Sequence, residues 1–185
     1  MRIVGGRLKG LRIQAPSNLP VRPTTDMAKE ALFNILNNRF DFEQIKVLDL
    51  FSGTGSITLE FASRGTSDIT SVDLSYHCVK FLKESVQQYK LANVKVIKAD
   101  VFKYLNTETK AYDLIFADAP YDNPKLPSIP DLVFTKNLLN NSGLLIVEHP
   151  STIRLNHYKQ FTEQRKYGYS SFSFFENLDK SENTL

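Results

Sequence analysis

Residues 46–55 read KVLDLFSGTG. The first half is a short apolar run, Val47, Leu48 and Leu50 around Asp49, and the second half is a glycine turn. A short, mostly apolar strand of this kind is one buried on both faces, as in a parallel sheet. Gly53 and Gly55 let the chain turn tightly into the following helix, GSITLEFASRG, and leave bare backbone near that helix's N-terminus. The same alternation continues outward. ITSVDL, VKVIKA, YDLIFADAP and GLLIVEH read as strands, and SYHCVKFLKESVQQYKLA, VFKYL and IPDLVFTKNLL as the helices between them. Strands alternating with helices predict an α/β fold with a doubly wound, mostly parallel sheet. The closing YKQFTEQRKYGYSSFSFFE, rich in alternating Phe, reads as two strands joined at Tyr167-Gly168. An antiparallel strand is therefore expected at or near one edge.

Toward the N-terminus, RIVGGRLKGLRIQAP alternates apolar and polar positions around Gly-Gly and Lys-Gly, which predicts a β-hairpin ending at Pro16. After the loop SNLPVRP, the stretch TTDMAKEALFNILNNRF predicts a helix. Thr24 or Thr25 caps it, Asp26 favours its first turn, and Ala28, Ala31, Leu32, Ile35 and Leu36 form its apolar face. The expected organisation is a basic hairpin and loop over 1–22, one main domain over 23–178 and a frayed polar tail over 179–185.

Composition narrows the function classes. The chain has 185 residues, 42% of them hydrophobic and 23% charged, which is ordinary for a globular domain, and no apolar run approaches a membrane span of about 18 residues. The single cysteine, Cys78, cannot form an internal disulfide, and the first residues have no secretory pattern, so the cytoplasm is the expected compartment. His77, His149 and His157 are scattered, with no ligand-like spacing to Cys78, so no metal site is expected. Net charge is only +3, but residues 1–22 hold Arg2, Arg7, Lys9, Arg12 and Arg22 and no acid. That asymmetry is the footprint of a protein that meets phosphate with one end. A solvated surface hairpin is the alternative.

In sheets of this kind ligands lie beyond the carboxyl ends of the strands, where the strand order reverses. The strand ends here carry Asp49 to Gly55, Asp73, Asp100, and Asp118 to Tyr121. A dinucleotide fingerprint needs a third glycine where this chain has Thr58, which argues against a pyrophosphate site. Asp49, close to the turn, suits a cationic or hydroxyl-bearing ligand better than a phosphate. Asp73 can accept both hydroxyls of a ribose, and Asp100 the amino group of an adenine. Each alone reads better as the cap of its following helix. Together, at successive strand ends, they describe a pocket for an adenosine without phosphates.

The ordered series DLFSGTG, VDLS, KADVF and DAPY, over residues 46–150, resembles the motifs of class I S-adenosylmethionine-dependent methyltransferases. RIVGGRLKG followed by VRPTTDMAKEALFNIL resembles more narrowly the RsmD family, the bacterial small-subunit ribosomal RNA guanine-N2 methyltransferases. With the tail included, the resemblance spans nearly the whole chain. It implies a seven-stranded Rossmann-like methyltransferase sheet with a small N-terminal hairpin extension, S-adenosylmethionine as cofactor, and methyl transfer to the exocyclic N2 of a guanine in 16S ribosomal RNA. The expected partner is that RNA within an assembled or assembling small ribosomal subunit, met by a monomer without membrane or metal. Cofactor binding falls on Asp49, Phe51, Gly53, Gly55, Asp73, Leu74, Asp100 and Val101. Arg22 and Thr24, in the element resembling the family's RPT, fall on the substrate side, and Arg2, Arg7, Lys9 and Arg12 would grip RNA phosphates.

The remaining motif, Asp118-Ala119-Pro120-Tyr121, is expected to be catalytic. An exocyclic guanine nitrogen is a poor nucleophile because its lone pair is delocalised into the ring. Two acceptors on its two N–H bonds let it pyramidalise. The Asp118 carboxylate supplies one acceptor and the carbonyl of Ala119 the other, aimed by the restriction that Pro120 places on the residue before it. Tyr121 offers a flat face for a base taken out of its stack. Amino-group methyltransferases usually have proline where this chain has Ala119, so a looser motif is expected. The rival readings are a DNA or protein amino-group methyltransferase, a non-catalytic RNA-binding assembly factor and a nicotinamide-dependent oxidoreductase.

Overall fold

The computed structural model describes residues 1–19 and 24–178. Its seven strands are β1 (Lys46–Leu50), β2 (Asp68–Asp73), β3 (Val94–Lys98), β4 (Tyr112–Ala117), β5 (Leu139–Pro150), β6 (Phe161–Tyr167) and β7 (Ser170–Glu176). They form one sheet in the order β3-β2-β1-β4-β5-β7-β6. All pairings described among β1 to β5 are parallel, while β7 runs antiparallel to both β5 and β6. The antiparallel strand thus lies one place in from the edge. No helix among the described residues is long and apolar enough to cross a membrane. The chain divides into two compact units, Met1–Val101 and the part from Phe102 onward.

The first unit contains α1 (Asp26–Asn37), α2 (Ser56–Ser63), α3 (Tyr76–Gln88) and β1 to β3. Val47, Leu48, Leu50, Ile69 and Val72 are fully buried, as expected for strands covered on both faces. Thr25 caps α1 by accepting from the Ala28 N–H. The buried stripe of α1 is Ala28, Lys29, Leu32, Phe33 and Leu36, not the expected face through Ala31 and Ile35. The stripe is rotated because Phe33 packs against Phe61 and Phe42, with ring centroids 4.7 and 6.0 Å away, and both rings lie outside the helix.

The N-terminal segment is a hairpin in outline, with little regular strand. Arg2 and Arg12 form an isolated antiparallel bridge, flanked by Ile3 N–H to Leu11 O and Ile13 N–H to Met1 O, each 2.9 Å. Its tip closes on the end of α2. Arg7 N–H donates to Ser63 O at 2.8 Å, Leu8 N–H to Ser63 Oγ at 2.9 Å, and Ser63 Oγ–H to Gly5 O at 2.6 Å. Gly6, at φ +72°, passes so close that a Cβ there would stand 1.9 Å from Ser63 O. The extension is therefore packed into the first unit, with Ile3 and Ile13 buried.

The second unit carries β4 to β7 and α5 (Ile129–Thr135) behind a 3₁₀ turn, Leu126–Ser128, while α4 (Val101–Thr107) begins at the last residue of the first. The α5 helix stops earlier than its apolar pattern suggests. Lys136 is its C-cap, Asn137 reverses the chain at φ +53°, and β5 starts at Leu139 instead of Gly143. Residues Ser171 to Phe175 of β7 are all buried because the strand has neighbours on both sides and cover on both faces. The outer strand β6 is exposed from Thr162 to Lys166 and charged at Glu163, Arg165 and Lys166, a composition that discourages edge-to-edge pairing.

Candidate active site

In the first unit, backbone hydrogen bonds lace together the carboxyl ends of β1, β2 and β3. Ser52 N–H donates to Val72 O at 3.1 Å, and Ala99 N–H to Asp73 O at 3.0 Å. Between them the Asp73 carboxylate holds the glycine turn: Oδ2 accepts from Gly53 N–H at 2.8 Å and Oδ1 from Ser75 N–H at 2.8 Å. The helix cap of α3 is Ser75, which accepts from Cys78 N–H, so Asp73 does not serve as the cap. Each Asp73 oxygen retains accepting capacity beyond its one backbone donor. Beside it Leu74 is 63% exposed, an apolar surface at the mouth of the strand ends.

The turn itself runs through three left-handed positions, Phe51 at φ +58°, Gly53 at +53° and Gly55 at +80°. Glycine is required at 55 for a second reason: a Cβ there would lie 2.3 Å from Leu82 Cδ1 on α3. A bulky residue such as Phe51 rarely adopts this conformation, and strain of this kind persists where surrounding structure over-determines it.

Asp49 lies beneath this turn, 1% exposed. Its Oδ2 accepts from Thr58 N–H at 3.1 Å and from Thr58 Oγ1–H at 2.5 Å, while Thr58 Oγ1 also meets Ser71 Oγ at 2.9 Å. Thr58, at the position where a dinucleotide site needs glycine, is thus the residue that seats Asp49. Burial pushes the Asp49 carboxyl up from 3.8 to about 7, against the Thr58 hydrogen bonds and helped by the nearby Asp73 charge. At the end of β3, Asp100 is half-buried and Val101, the first residue of α4, is buried.

In the second unit β4 ends at Ala117, and the next residues form the turn that bears the expected catalytic motif. Asp118 and Tyr121 are half-buried, Ala119 is 1% exposed and Pro120 is exposed. Asn123 N–H donates to Pro120 O at 2.9 Å, and Lys125 N–H to Asn123 Oδ1 at 2.9 Å, which closes the turn after the motif.

The basic residues separate into two groups. Arg2 is paired with Asp26 at 3.1 Å, and Arg7 Nη2 donates to Tyr89 O at 3.1 Å, so both help to hold the N-terminal segment in place. Lys9 and Arg12 are exposed. Arg12, Gln14, Thr24, Thr25 and Thr54 share the lining of a depression of about 890 Å³ within the first unit, which brings the expected substrate-side Thr24 to the glycine turn's own Thr54. Arg22 lies outside the described residues.

One cluster escaped sequence reasoning. Lys29 is fully buried, its ammonium 3.7 Å from Glu60 Oε2, donating at 2.5 Å to Arg2 O and at 3.2 Å to Ser56 Oγ, the first residue of α2. Glu60 also takes Val4 N–H at 2.9 Å and Arg64 Nε at 2.9 Å. Burial pulls the Lys29 pKa down, against the attraction of Glu60. The available signal was a lysine set between Ala28 and Leu32 on an apolar helix stripe.

Comparison with known proteins decides the family. The family described as Conserved hypothetical protein 95 matches residues 1–176. A Buchnera aphidicola protein named Ribosomal RNA small subunit methyltransferase D is 33% identical over 156 residues, 83% of this chain and 78% of its own length. The chain belongs to the RsmD family. Solved structures agree on the fold: a putative methylase of Haemophilus influenzae, 26% identical, superposes with a TM-score of 0.79 over 96% of this chain and 98% of its own. A putative methyltransferase of Escherichia coli, 23% identical, has the same fold with a TM-score of 0.83 over 96% and 99%. The RsmD-family match takes in both the docked N-terminal segment and the antiparallel β7, so neither is an addition peculiar to this chain.

Proposed function

We propose that this RsmD-family protein transfers a methyl group from S-adenosylmethionine to the exocyclic N2 of a guanine in 16S ribosomal RNA, within an assembled or assembling small subunit. The observation that carries the reading is Asp118-Ala119-Pro120-Tyr121 set in a closed turn at the carboxyl end of β4. The relatives named as ribosomal RNA small subunit methyltransferase D support an RNA substrate.

The residues present fit the cofactor. Gly53 and Gly55 leave backbone bare where a ligand can approach, Asp73 stands half-buried with oxygens able to accept ribose hydroxyls, and Leu74 offers an exposed apolar face to an adenine. Phe51, Asp100 and Val101 complete that side, and Asp49 acts from beneath the turn. S-adenosylmethionine supplies, when bound, the electrophilic methyl group.

The chain's own contribution to the reaction is orientation and acceptance. The Asp118 carboxylate and the Ala119 carbonyl take the two N–H bonds of the amine, the nitrogen pyramidalises, and its lone pair points at the methyl carbon. After transfer the nitrogen is cationic and loses its proton readily, so a strong base is not needed. Tyr121 stacks on the extruded base, a contact worth about 1–3 kcal/mol. On the substrate side, Arg12 and Lys9 meet RNA phosphates, Thr24 lines the depression beside Thr54, and Arg22 belongs to the same stretch. Arg2 and Arg7 act chiefly by holding that surface in shape.

The test is methyl transfer from labelled S-adenosylmethionine to small subunits that lack the modification. Label recovered as N2-methylguanosine with wild type, and lost with Asp118→Ala while cofactor binding persists, is the expected outcome. Cofactor bound without label in any RNA would turn the assignment toward a non-catalytic assembly factor.

A further inference from the structure

Glu148 is 6% exposed, a carboxylate inside the second unit that the reaction above does not use. In β5 it follows a row of apolar residues. Leu144 pairs with Leu114 and Ile146 with Phe116 in the parallel ladder between β5 and β4, and paired residues share a face of the sheet. On its other side Glu148 pairs with Phe172, whose ring lies 6.2 Å from that of Phe116. Packing alone would be served at position 148 by another aliphatic residue, because a carboxylate brought in among aromatic rings loses its hydration.

The place where the row turns acidic is informative. The last pair of the β4–β5 ladder is Ala117 with Val147, so one step further the neighbours are Asp118 and Glu148. Carried one residue past the ladder, the register brings the two acids to the same level, where β4 gives way to the motif turn and β5 continues to Pro150. Ligands of such sheets bind at the carboxyl ends of the strands.

Guanine presents three N–H donors along one edge, two on N2 and one on N1. Asp118 and the Ala119 carbonyl answer the two on N2. We propose that Glu148 accepts the N1–H, so that the enzyme recognises guanine and not merely a purine with a 2-amino group. This rests on the guanine-N2 reading of the site. A base with an N1 lone pair in that position, as in 2,6-diaminopurine, would set an acceptor against a carboxylate.

The experiment compares methyl transfer to small subunits reconstituted with ligated 16S RNA carrying either guanosine or 2,6-diaminopurine riboside at the methylated position. Wild type should prefer guanosine by about 100-fold or more in kcat/KM, because a site built to accept a hydrogen bond strongly rejects an analogue that cannot donate it. Glu148→Gln, whose amide can donate to the N1 lone pair, should narrow that preference by about tenfold or more. Equal use of the two bases by wild type overturns the proposal without any variant being needed. An unchanged preference in a folded Glu148→Gln protein overturns it as well. Failure to label either base would instead remove the guanine-N2 reading on which the proposal stands.

Discussion

Replacing Asp49 with asparagine should stabilise the protein at pH 8 far more than at pH 5. Asp49 is 1% exposed, and burial raises its carboxyl from 3.8 to about 7. The folded protein therefore holds this proton over a pH range in which the unfolded chain has lost it. Stability from the proton is complete below 3.8 and disappears as the pH rises through about 7. Between pH 5 and the upper end of that range lie two pH units, and at about 1.4 kcal/mol each the loss by pH 8 is about 3 kcal/mol. Asparagine has the same shape, its amide oxygen can accept from both Thr58 N–H and Thr58 Oγ1–H, and it has no charge to bury. Its extra N–H bonds need acceptors, a difference of about 1 kcal/mol that is the same at every pH. Urea unfolding of both proteins at pH 5, 6.5 and 8 measures the difference. A difference that stays flat across this range refutes the account of a buried, proton-holding Asp49. On the proposed cofactor reading, the charge of Asp49 serves the cationic end of the ligand, and Asp49→Asn should then also weaken S-adenosylmethionine binding by about tenfold in calorimetry.

Three further outcomes follow from the first unit. Gly6→Ala forces a side chain against the Ser63 carbonyl as well as into a left-handed backbone and should lower stability by several kcal/mol, whereas Gly10→Ala, at φ +88° with open space around it, should lower it by about 1–2 kcal/mol in urea titrations. Lys29→Met strips Glu60 of one of two cationic partners and leaves Arg2 O and Ser56 Oγ without their donor; Arg64 remains, so the loss should be about 3 kcal/mol by urea unfolding. Charge reversal at Lys9 and Arg12 should weaken binding of small-subunit RNA and reduce the slope of log K against log salt by about 2, with S-adenosylmethionine affinity unchanged in a filter-binding and calorimetry pair.

Alternation of strands and helices, the glycine turn, the acids at the strand ends and the antiparallel β7 were all legible in the sequence, because each is written within a few neighbouring residues. A strand buried on both faces is mostly apolar, a tight strand-to-helix turn favours glycine, and the motif Asp118 to Tyr121 is contiguous. The apolar face of α1 was misread at Ala31 and Ile35 for the opposite reason. Which stripe of an amphipathic helix is buried depends on partners such as Phe61, and Lys29 enters the core only because Glu60 and Arg2 O meet it there.

The sequence by itself determined the order and kind of the elements and marked the strand ends as the candidate site. Only the tertiary structure decided that the Gly-Gly segment is held by Ser63, that Asp49 lies sealed beneath the turn that Asp73 holds, and that Val147, next to Glu148, pairs with Ala117, next to Asp118. Periodicity and turn chemistry are local and survive in a one-dimensional text. Whether a charged side chain can be buried is settled by donors brought from elsewhere in the chain, as Val4 N–H is brought across 56 residues to Glu60, and that pairing exists only once the chain has folded.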